Sequence, residues 1–314
     1  TGVQTCALPI SGKTTLLLEL VKQLNASGDY YALYCSLESV QKIDDPEKGI
    51  PAVINVLGSA IRYSHVIPMK DFAKDRDTDY YTLALRNTLT DFCMELDRPL
   101  VILFDEIDCL SNGTLISFLR QLRDGYSNRS MIPFVHSVGL IGMRNIRDYK
   151  ASIRENRESL GSASPFNIVK RSMTLRNFTK EEIAELYAQH TRETGQCFPT
   201  QIIEDIWSQT RGQPWLVNAV AVEIIEEILQ SDFSKPIRPE HADQAVQNII
   251  LRRDTHIDSL LERLKEERVR RIVEPVITGK EEGFSDTDDD YRYVLDLGLL
   301  TKAEGVLVPS NPIY

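Results

Sequence analysis

The feature that most constrains this chain is the segment Ser11-Gly12-Lys13-Thr14-Thr15, which stands directly before apolar residues at helical spacing. A Gly-Lys-Thr sequence that opens an amphipathic helix is the second half of a phosphate-binding loop. Gly12 has no side chain, so backbone N–H groups can close around a phosphate at the positive end of the helix. We predict phosphate binding by Ser11, Gly12, Lys13, Thr14 and Thr15. Lys13 would reach the β- and γ-phosphates, and the Thr14 hydroxyl would ligate Mg²⁺.

The first half of that loop pattern is absent. In G-x-x-x-x-G-K-[ST] the first glycine would stand at Ala7, and Leu8-Pro9-Ile10 are unusual loop residues. Back-translated as ACT GGA GTT CAG ACG TGT GCT CTT CCG ATC, residues 1–10 resemble the end of a common sequencing-library adapter. We therefore expect residues 1–10 to be non-native and to replace the first strand and the start of the loop. The alternative is a genuine but degenerate strand and loop.

A second motif combines a buried strand with two acids. Leu100–Phe104 is a continuous apolar run, typical of a strand covered on both faces, and Asp105-Glu106 follows it. Ligands bind at the carboxyl ends of strands in open α/β sheets. We predict that Asp105 holds Mg²⁺, directly or through water, and that Glu106 polarises the attacking water. The alternative is an ordinary strand end. Asp108 is interpreted separately, as a cap of the next helix.

A third motif ends the next predicted strand, Met131–Gly142, with Arg144 shortly after it. An arginine at this strand end is placed to sense the γ-phosphate, and the alternative is a surface arginine. Basic residues follow at spacings of three and four, so on a helix they would form one stripe. They are Arg147, Lys150, Arg154 and Arg157. The stripe is interpreted as a solvated face, or as a contact for a partner or nucleic acid.

From Thr179 onward the pattern becomes helical. Thr179 and Glu182 have the spacing of a capping box, and helices are predicted at residues 180–194, 199–210, 215–229 and 238–252. Between the second and third helices, Gly212 suits a C′ position and Pro214 suits the first turn of a helix. We predict an α/β domain at residues 1–178 and a helical lid at residues 179–254.

The last predicted domain, residues 255–314, has the pattern of a winged helix, with three helices and then a β-hairpin. Its reading helix would be strongly acidic, with carboxylates that repel phosphates. They belong to Asp286, Asp288, Asp289, Asp290 and Asp296. We therefore predict a protein-contact or regulatory module here. Because the sequence ends abruptly at Tyr314, we expect a truncation of the gene there.

Composition excludes several classes of protein. The 314 residues are 42% hydrophobic and 26% charged, and no apolar run approaches the ~20 residues that span a bilayer. Cysteines and histidines are scattered without metal-ligand spacing, so we expect a reduced, cytoplasmic protein without membrane contact. The net charge of −10 argues against broad affinity for nucleic acid.

The order of these motifs resembles the AAA-like ATPases of the STAND group, including prokaryotic AAA-like-domain proteins. The resemblance covers nearly the whole chain after Ile10. It is carried by Ser11–Thr15, Asp105-Glu106, Gly142-Met143-Arg144 and Gly212-Gln213-Pro214. It implies a P-loop parallel sheet of the ASCE/AAA+ kind, with strands in the order 5-1-4-3-2, and ATP with Mg²⁺ as the ligand. It also implies a sensor role for Arg144 and packing of Pro214 near the nucleotide base.

Three functions remain open at this point. The first is a nucleotide-gated switch with slow ATP hydrolysis, in which Lys13, Glu106 and Arg144 act on the phosphates and a protein partner or effector domain responds. The second is a DNA-associated AAA+ ATPase similar to origin-recognition or transposition helper proteins. The third is a scaffold that holds a nucleotide without hydrolysis. The residues alone do not distinguish ATP from GTP, and they leave the oligomeric state open. Arginine-finger candidates are Arg120, Arg123, Arg129 and Arg171.

Overall fold

The chain divides into two compact units, one formed by Lys13–Met173 and the other containing Thr174–Tyr314. The computed structural model describes residues 12–68, 80–142, 175–252, 255–279, 285 and 288–314. Within these ranges, no helix has the length and apolar character needed to cross a membrane.

The first unit is a mixed α/β structure with a parallel sheet. Its helices and strands follow one another as α1 Lys13–Ser27, β1 Tyr31–Ser36, α2 Pro46–Tyr63, α3 Tyr81–Glu95, β2 Leu100–Asp105, α4 Asn112–Asn128 and β3 Ser137–Leu140. The described strands are neighbours in the order β1-β2-β3, and both pairs are parallel. Residues of the first and fifth predicted strands lie outside the described ranges, apart from Leu175. The order 5-1-4-3-2 therefore stays a prediction.

Strand β2 is buried along its whole length, as the continuous apolar run predicts. On one face, Leu103 packs with Leu17 of α1. On the other face, Phe104 meets the ring of Phe118 of α4 edge to face, with ring centroids 5.1 Å apart. Because α1 and α4 pack on opposite faces of β2, the end of the strand is held in place, and so is the position of Asp105 and Glu106.

The strand predicted at Met131–Gly142 is shorter than expected. Helix α4 continues to Asn128, and only Ser137–Leu140 pairs with β2. Pro133 has no N–H to donate to a ladder. The ring of Phe134 occupies the space that a side chain at Gly125 of α4 would fill. Phe134 therefore packs on α4 before the strand begins, whereas Met131 and Ile132 are exposed.

The second unit begins with helices around one apolar core. They are α5 Lys180–Thr194, α6 Thr200–Thr210, α7 Pro214–Val222 and α8 Pro239–Arg252, with a π-helical turn at Glu223–Ile228 after α7. The predicted capping box is confirmed, because Thr179 Oγ1 accepts from Glu182 N–H and the Glu182 carboxylate accepts from Thr179 N–H. Ile313 near the chain end packs into the same core.

The rest of the second unit has its own core. Its elements are α9 Thr255–Leu264, α10 Glu267–Ile277, α11 Asp289–Asp296, β4 Leu300–Ala303 and β5 Val306–Pro309, the last two forming an antiparallel hairpin. Asp288 caps α11 and, with Asp290, binds Arg271 of α10. Part of the acidic cluster therefore serves internal contacts. The winged-helix assignment stays a prediction, and Asp286 lies outside the described ranges.

Candidate functional site

The first turn of α1 lies against the carboxyl end of β2. Thr14 Oγ1 donates a hydrogen bond of 2.8 Å to Asp105 Oδ2. Lys13 Nζ donates to the carbonyl oxygen of Gly142, just after β3, at 3.3 Å. The structure thus brings Lys13, Thr14 and Asp105 to one edge of the sheet, where the motifs predicted a shared site.

The turn into α1 depends on glycine. Gly12 has a φ of +70°, in the left-handed region that other residues adopt only with strain. No described atom lies within 4 Å of a Cβ added there, so the requirement comes from the backbone and not from crowding. Thr15 follows in the first turn with an exposed side chain, and Ser11 lies outside the described residues.

The Asp105 carboxylate is buried, with 1% of its surface exposed, and described donors satisfy both oxygens. Its Oδ2 accepts from Thr14 and, at 3.0 Å, from the hydroxyl of Tyr34 on β1, while its Oδ1 accepts from the Glu106 N–H at 3.0 Å. Burying a polar side chain without such partners costs free energy, and these three hydrogen bonds offset that cost. The sequence analysis missed Tyr34, because only the register of β1 against β2 reveals the contact.

The Tyr34 hydroxyl keeps its proton in this setting. Burial of the ring, followed by the charge of Asp105, raises the pKa of Tyr34 to about 12. The hydroxyl is therefore a permanent hydrogen-bond donor to the carboxylate over the physiological range of pH.

Glu106 has an unusual backbone and an unusual charge environment. Its φ of +55° and ψ of +41° are left-handed, which costs about 1–3 kcal/mol in a residue other than glycine. Partial burial raises the pKa of the Glu106 carboxyl, and the charge of Asp105 adds to this, whereas Lys13 opposes it. A strained, partly desolvated carboxylate beside a buried acid is typical of functional sites.

Asp108 does not cap the following helix, so that interpretation is wrong. The N-cap of α4 is Ser111, and Asp108 belongs to the short 3₁₀ turn Ile107–Cys109. A Cβ added to Gly142 would overlap the Asp108 carboxylate and would lie 2.8 Å from a methyl group of Ile107. The missing side chain at Gly142 therefore lets the ends of β2 and β3 approach each other, beside the carbonyl that holds Lys13.

Pro214 belongs to the second unit, as the first residue of α7. The predicted turn before it is confirmed: Gly212 has a φ of +74° and follows the left-handed C-cap Arg211. The Phe178 N–H donates to the Gly212 carbonyl at 2.8 Å, and the Phe178 carbonyl fills the space of a Gly212 side chain. Gly212 is thus required by this turn.

The predicted arginines have different outcomes. Arg144 and the basic stripe Arg147–Arg157 lie outside the described ranges, as does Arg171. Arg120 and Arg123 lie on α4. Arg129 follows α4 and stacks on the ring of Tyr126 at 3.5 Å. None of these observations assigns an arginine finger.

The donor set fits a hard divalent cation. A threonine hydroxyl and a carboxylate oxygen are the ligands that Mg²⁺ takes from proteins, and here they are 2.8 Å apart. The Lys13 ammonium supplies positive charge at the same edge, beside a helix N-terminus that favours anions. The described residues therefore fit a magnesium–phosphate group.

No family model and no curated protein matches this chain. Among solved structures, it is similar to the Walker-type ATPase PABY2304 of Pyrococcus abyssi, with a TM-score of 0.60 and 15% identity over 96% of this chain and 86% of that chain. It also matches the Aeropyrum pernix ORC1 protein in complex with DNA, with a TM-score of 0.46 and 15% identity over 93% of this chain and 76% of that chain. A further match is the Thermotoga maritima RuvB Holliday junction branch migration motor, with a TM-score of 0.39 and 13% identity over 96% and 94%. The similarity to the Pyrococcus protein spans nearly the whole chain, which therefore shares the fold of that Walker-type ATPase.

Proposed function

We propose that this chain binds ATP with Mg²⁺ at the edge formed by the first turn of α1 and the end of β2, and hydrolyses it slowly as a nucleotide-gated switch. The observation that carries the proposal is the hydrogen bond between Thr14 Oγ1 and Asp105 Oδ2. It joins the two oxygens that the loop motif and the strand motif independently assign to the metal. The choice of ATP over GTP rests on the resemblance to AAA-like ATPases.

The charges around Lys13 support binding of a polyphosphate. Its ammonium contacts a neutral acceptor, the Gly142 carbonyl, at 3.3 Å. Phosphate oxygens would give it charged acceptors, which form stronger hydrogen bonds. Mg²⁺ bound by Thr14 and Asp105 would neutralise further phosphate charge. Lys13 is therefore proposed to hold the β- and γ-phosphates.

Glu106 is proposed to orient the attacking water and accept its proton. It follows Asp105 directly, so its backbone lies at the same edge of the sheet. Its raised pKa makes its carboxylate a better base than an exposed glutamate, because base strength rises with pKa. The other contributions to catalysis are positioning and neutralisation of charge.

The switch part of the proposal involves the second unit. A helical lid at residues 179–254 and a winged-helix unit at residues 255–314 would move with the state of the nucleotide. Arg144 would sense the γ-phosphate, and Pro214 would pack near the base. These roles follow the resemblance to STAND ATPases, together with a cytoplasmic location and a protein partner or effector domain.

The test of the proposal is Glu106→Gln. This variant should retain binding of ATP·Mg²⁺ and lose turnover, since the amide keeps the shape but cannot accept the proton. Binding is measured by titration with a fluorescent ATP analogue, and hydrolysis by release of phosphate. Glu95→Gln, an exposed carboxylate on α3, is the matched control and should change neither. Each protein is also assayed with Ala7→Gly, which restores the first glycine of the loop pattern.

Two results would contradict the proposal in different ways. Undiminished hydrolysis by Glu106→Gln would remove Glu106 from the mechanism but leave nucleotide binding intact. Absence of binding in both the original chain and Ala7→Gly would refute nucleotide binding by this chain.

Association with DNA is the second candidate function, motivated by the sequence of the basic stripe Arg147–Arg157. Phosphate contacts give an affinity that falls steeply with salt, so a gel-shift series from low to high salt tests this function. No shift at low salt would exclude it.

A further inference from the structure

Tyr34 contacts the carboxylate that is proposed to hold the metal, although no motif includes it. Its hydroxyl donates to Asp105 Oδ2 at 3.0 Å, and this is the same oxygen that accepts from Thr14 at 2.8 Å. One carboxylate oxygen is therefore held by two donors, one from α1 and one from β1.

The register of the sheet explains how Tyr34 reaches this oxygen. Ser36 pairs with Asp105 at the ends of β1 and β2, so Tyr34 stands opposite Leu103, two residues before the end. Its ring packs with Leu17 and the other residues between the sheet and α1. The ring is thus fixed by apolar contacts, and the hydroxyl extends along the sheet face to the carboxylate.

We infer that Tyr34 is a positioning residue for the magnesium-binding carboxylate, an inference that rests on the proposed function. Thr14 Oγ1 can ligate Mg²⁺ through a lone pair while its O–H still donates to Asp105, so it would serve the metal and the carboxylate together. Tyr34 would serve the carboxylate alone, and its hydrogen bond holds Oδ2 in place from the neighbouring strand. Residues that orient metal ligands in this way typically change metal affinity by about 10- to 100-fold when they are removed.

The prediction concerns the metal and not the nucleotide alone. Tyr34→Phe keeps the packed ring and removes only the hydroxyl. The Mg²⁺ concentration that half-saturates nucleotide binding should rise by about 10- to 100-fold. Binding of the nucleotide in EDTA should stay within about twofold, because Lys13 and the N-terminus of α1 are unchanged.

Tyr31 on the same strand provides a matched control. Its hydroxyl also donates to a carboxylate, Asp97 Oδ1 at 2.9 Å, but at the opposite end of the strand. Tyr31→Phe therefore loses the same kind of bond without touching the site. A fluorescent ATP analogue is titrated against the wild type, Tyr34→Phe and Tyr31→Phe, first in EDTA and then at rising Mg²⁺, with far-UV circular dichroism of each protein.

The outcomes separate this inference from the proposed function. A shift in the Mg²⁺ requirement of Tyr34→Phe alone supports the inference. Equal Mg²⁺ requirements in all three proteins overturn it and leave the nucleotide site standing, whereas a wild type that binds no nucleotide overturns both. Loss of folded structure in Tyr34→Phe, but not in Tyr31→Phe, also overturns it, because the hydroxyl would then serve folding.

Discussion

The hydroxyl of Thr14 is the group whose removal tests the site most directly. Thr14→Val keeps the branched shape and deletes the donor that reaches Asp105 Oδ2 at 2.8 Å. A hydrogen bond to a charged group contributes about 1.5–3 kcal/mol. Asp105 keeps the Tyr34 and Glu106 donors, so the expected cost is at the lower end. Without nucleotide, the free energy of unfolding of the first unit should fall by about 1.5–2 kcal/mol.

Nucleotide should widen this difference. A ligand at 100 times its Kd stabilises the folded state by about 2.7 kcal/mol. If loss of the Thr14 ligand weakens binding about 100-fold, the same concentration gives the variant only about 0.4 kcal/mol. The gap between wild type and Thr14→Val should therefore grow by about 2.3 kcal/mol when ATP·Mg²⁺ is present.

The assay must report on the first unit. Both tryptophans, Trp207 and Trp215, lie in the second unit, so their fluorescence follows the wrong part of the chain. Two units also need not unfold together, which breaks the two-state assumption for the whole protein. Hydrogen exchange with mass spectrometry, read on peptides that cover β2 across a urea series, measures the relevant opening.

Thr14→Ser is the control, since it keeps the hydroxyl. If Thr14→Val and Thr14→Ser are equally stable without nucleotide, the hydrogen bond to Asp105 contributes nothing, and the reasoning from burial is refuted. If ATP·Mg²⁺ stabilises both variants equally, Thr14 is not a metal ligand.

Three further predictions address charge and backbone strain. Glu106→Gln should gain stability over the wild type as pH rises from about 4.3 to the raised pKa of Glu106, because in that window the wild type alone releases a proton on unfolding. A difference in urea midpoint that does not change with pH, read by hydrogen exchange on peptides of β2, would contradict this. Gly195→Ala should lower the free energy of unfolding by about 1–2 kcal/mol, because its φ of +79° is left-handed and no described atom lies near an added Cβ. Gly212→Ala should lower it further, because its Cβ would also meet the Phe178 carbonyl; tryptophan fluorescence in urea compares the two variants. The hydrogen bond from Arg176 lowers the pKa of Glu182 to about 2, so the ionised Glu182 stabilises the wild type above about pH 4.3, and this stabilisation disappears as pH falls toward 2. Glu182→Gln should lack this contribution, and an acid unfolding curve identical to that of the wild type would contradict the prediction.

The elements that the sequence predicted well are those with local signals at both ends. Helix α5 has the predicted bounds, Lys180–Thr194, because a capping box starts it and Gly195 ends it in the left-handed conformation. The buried strand that ends at Asp105 was predicted equally well, since a short continuous apolar run followed by acids is typical of a strand covered on both faces.

Prediction was wrong where packing between elements decides the outcome. Phe134 was predicted to belong to a strand, but its ring packs on Gly125 of α4, which lies earlier in the sequence. The helix predicted at residues 215–229 continues, but its last part is the π-helical turn Glu223–Ile228. There the buried Glu223 accepts from Asn248 of α8 at 2.8 Å and lies 2.8 Å from Arg252. Apolar periodicity carries no information about such contacts.

The candidate site shows the same division between local and non-local information. The proximity of Lys13, Thr14 and Asp105 could be predicted, because each stands at a fixed distance from the start of a helix or the end of a strand. Tyr34 could not, because side chains alternate between the faces of a strand and a one-residue change in register would turn its hydroxyl away from Asp105. The register is set by the whole of β1 against β2, from Tyr31 opposite Leu100 to Ser36 opposite Asp105. Residues that position a ligand from a neighbouring strand are therefore the part of such a site that only the folded structure reveals.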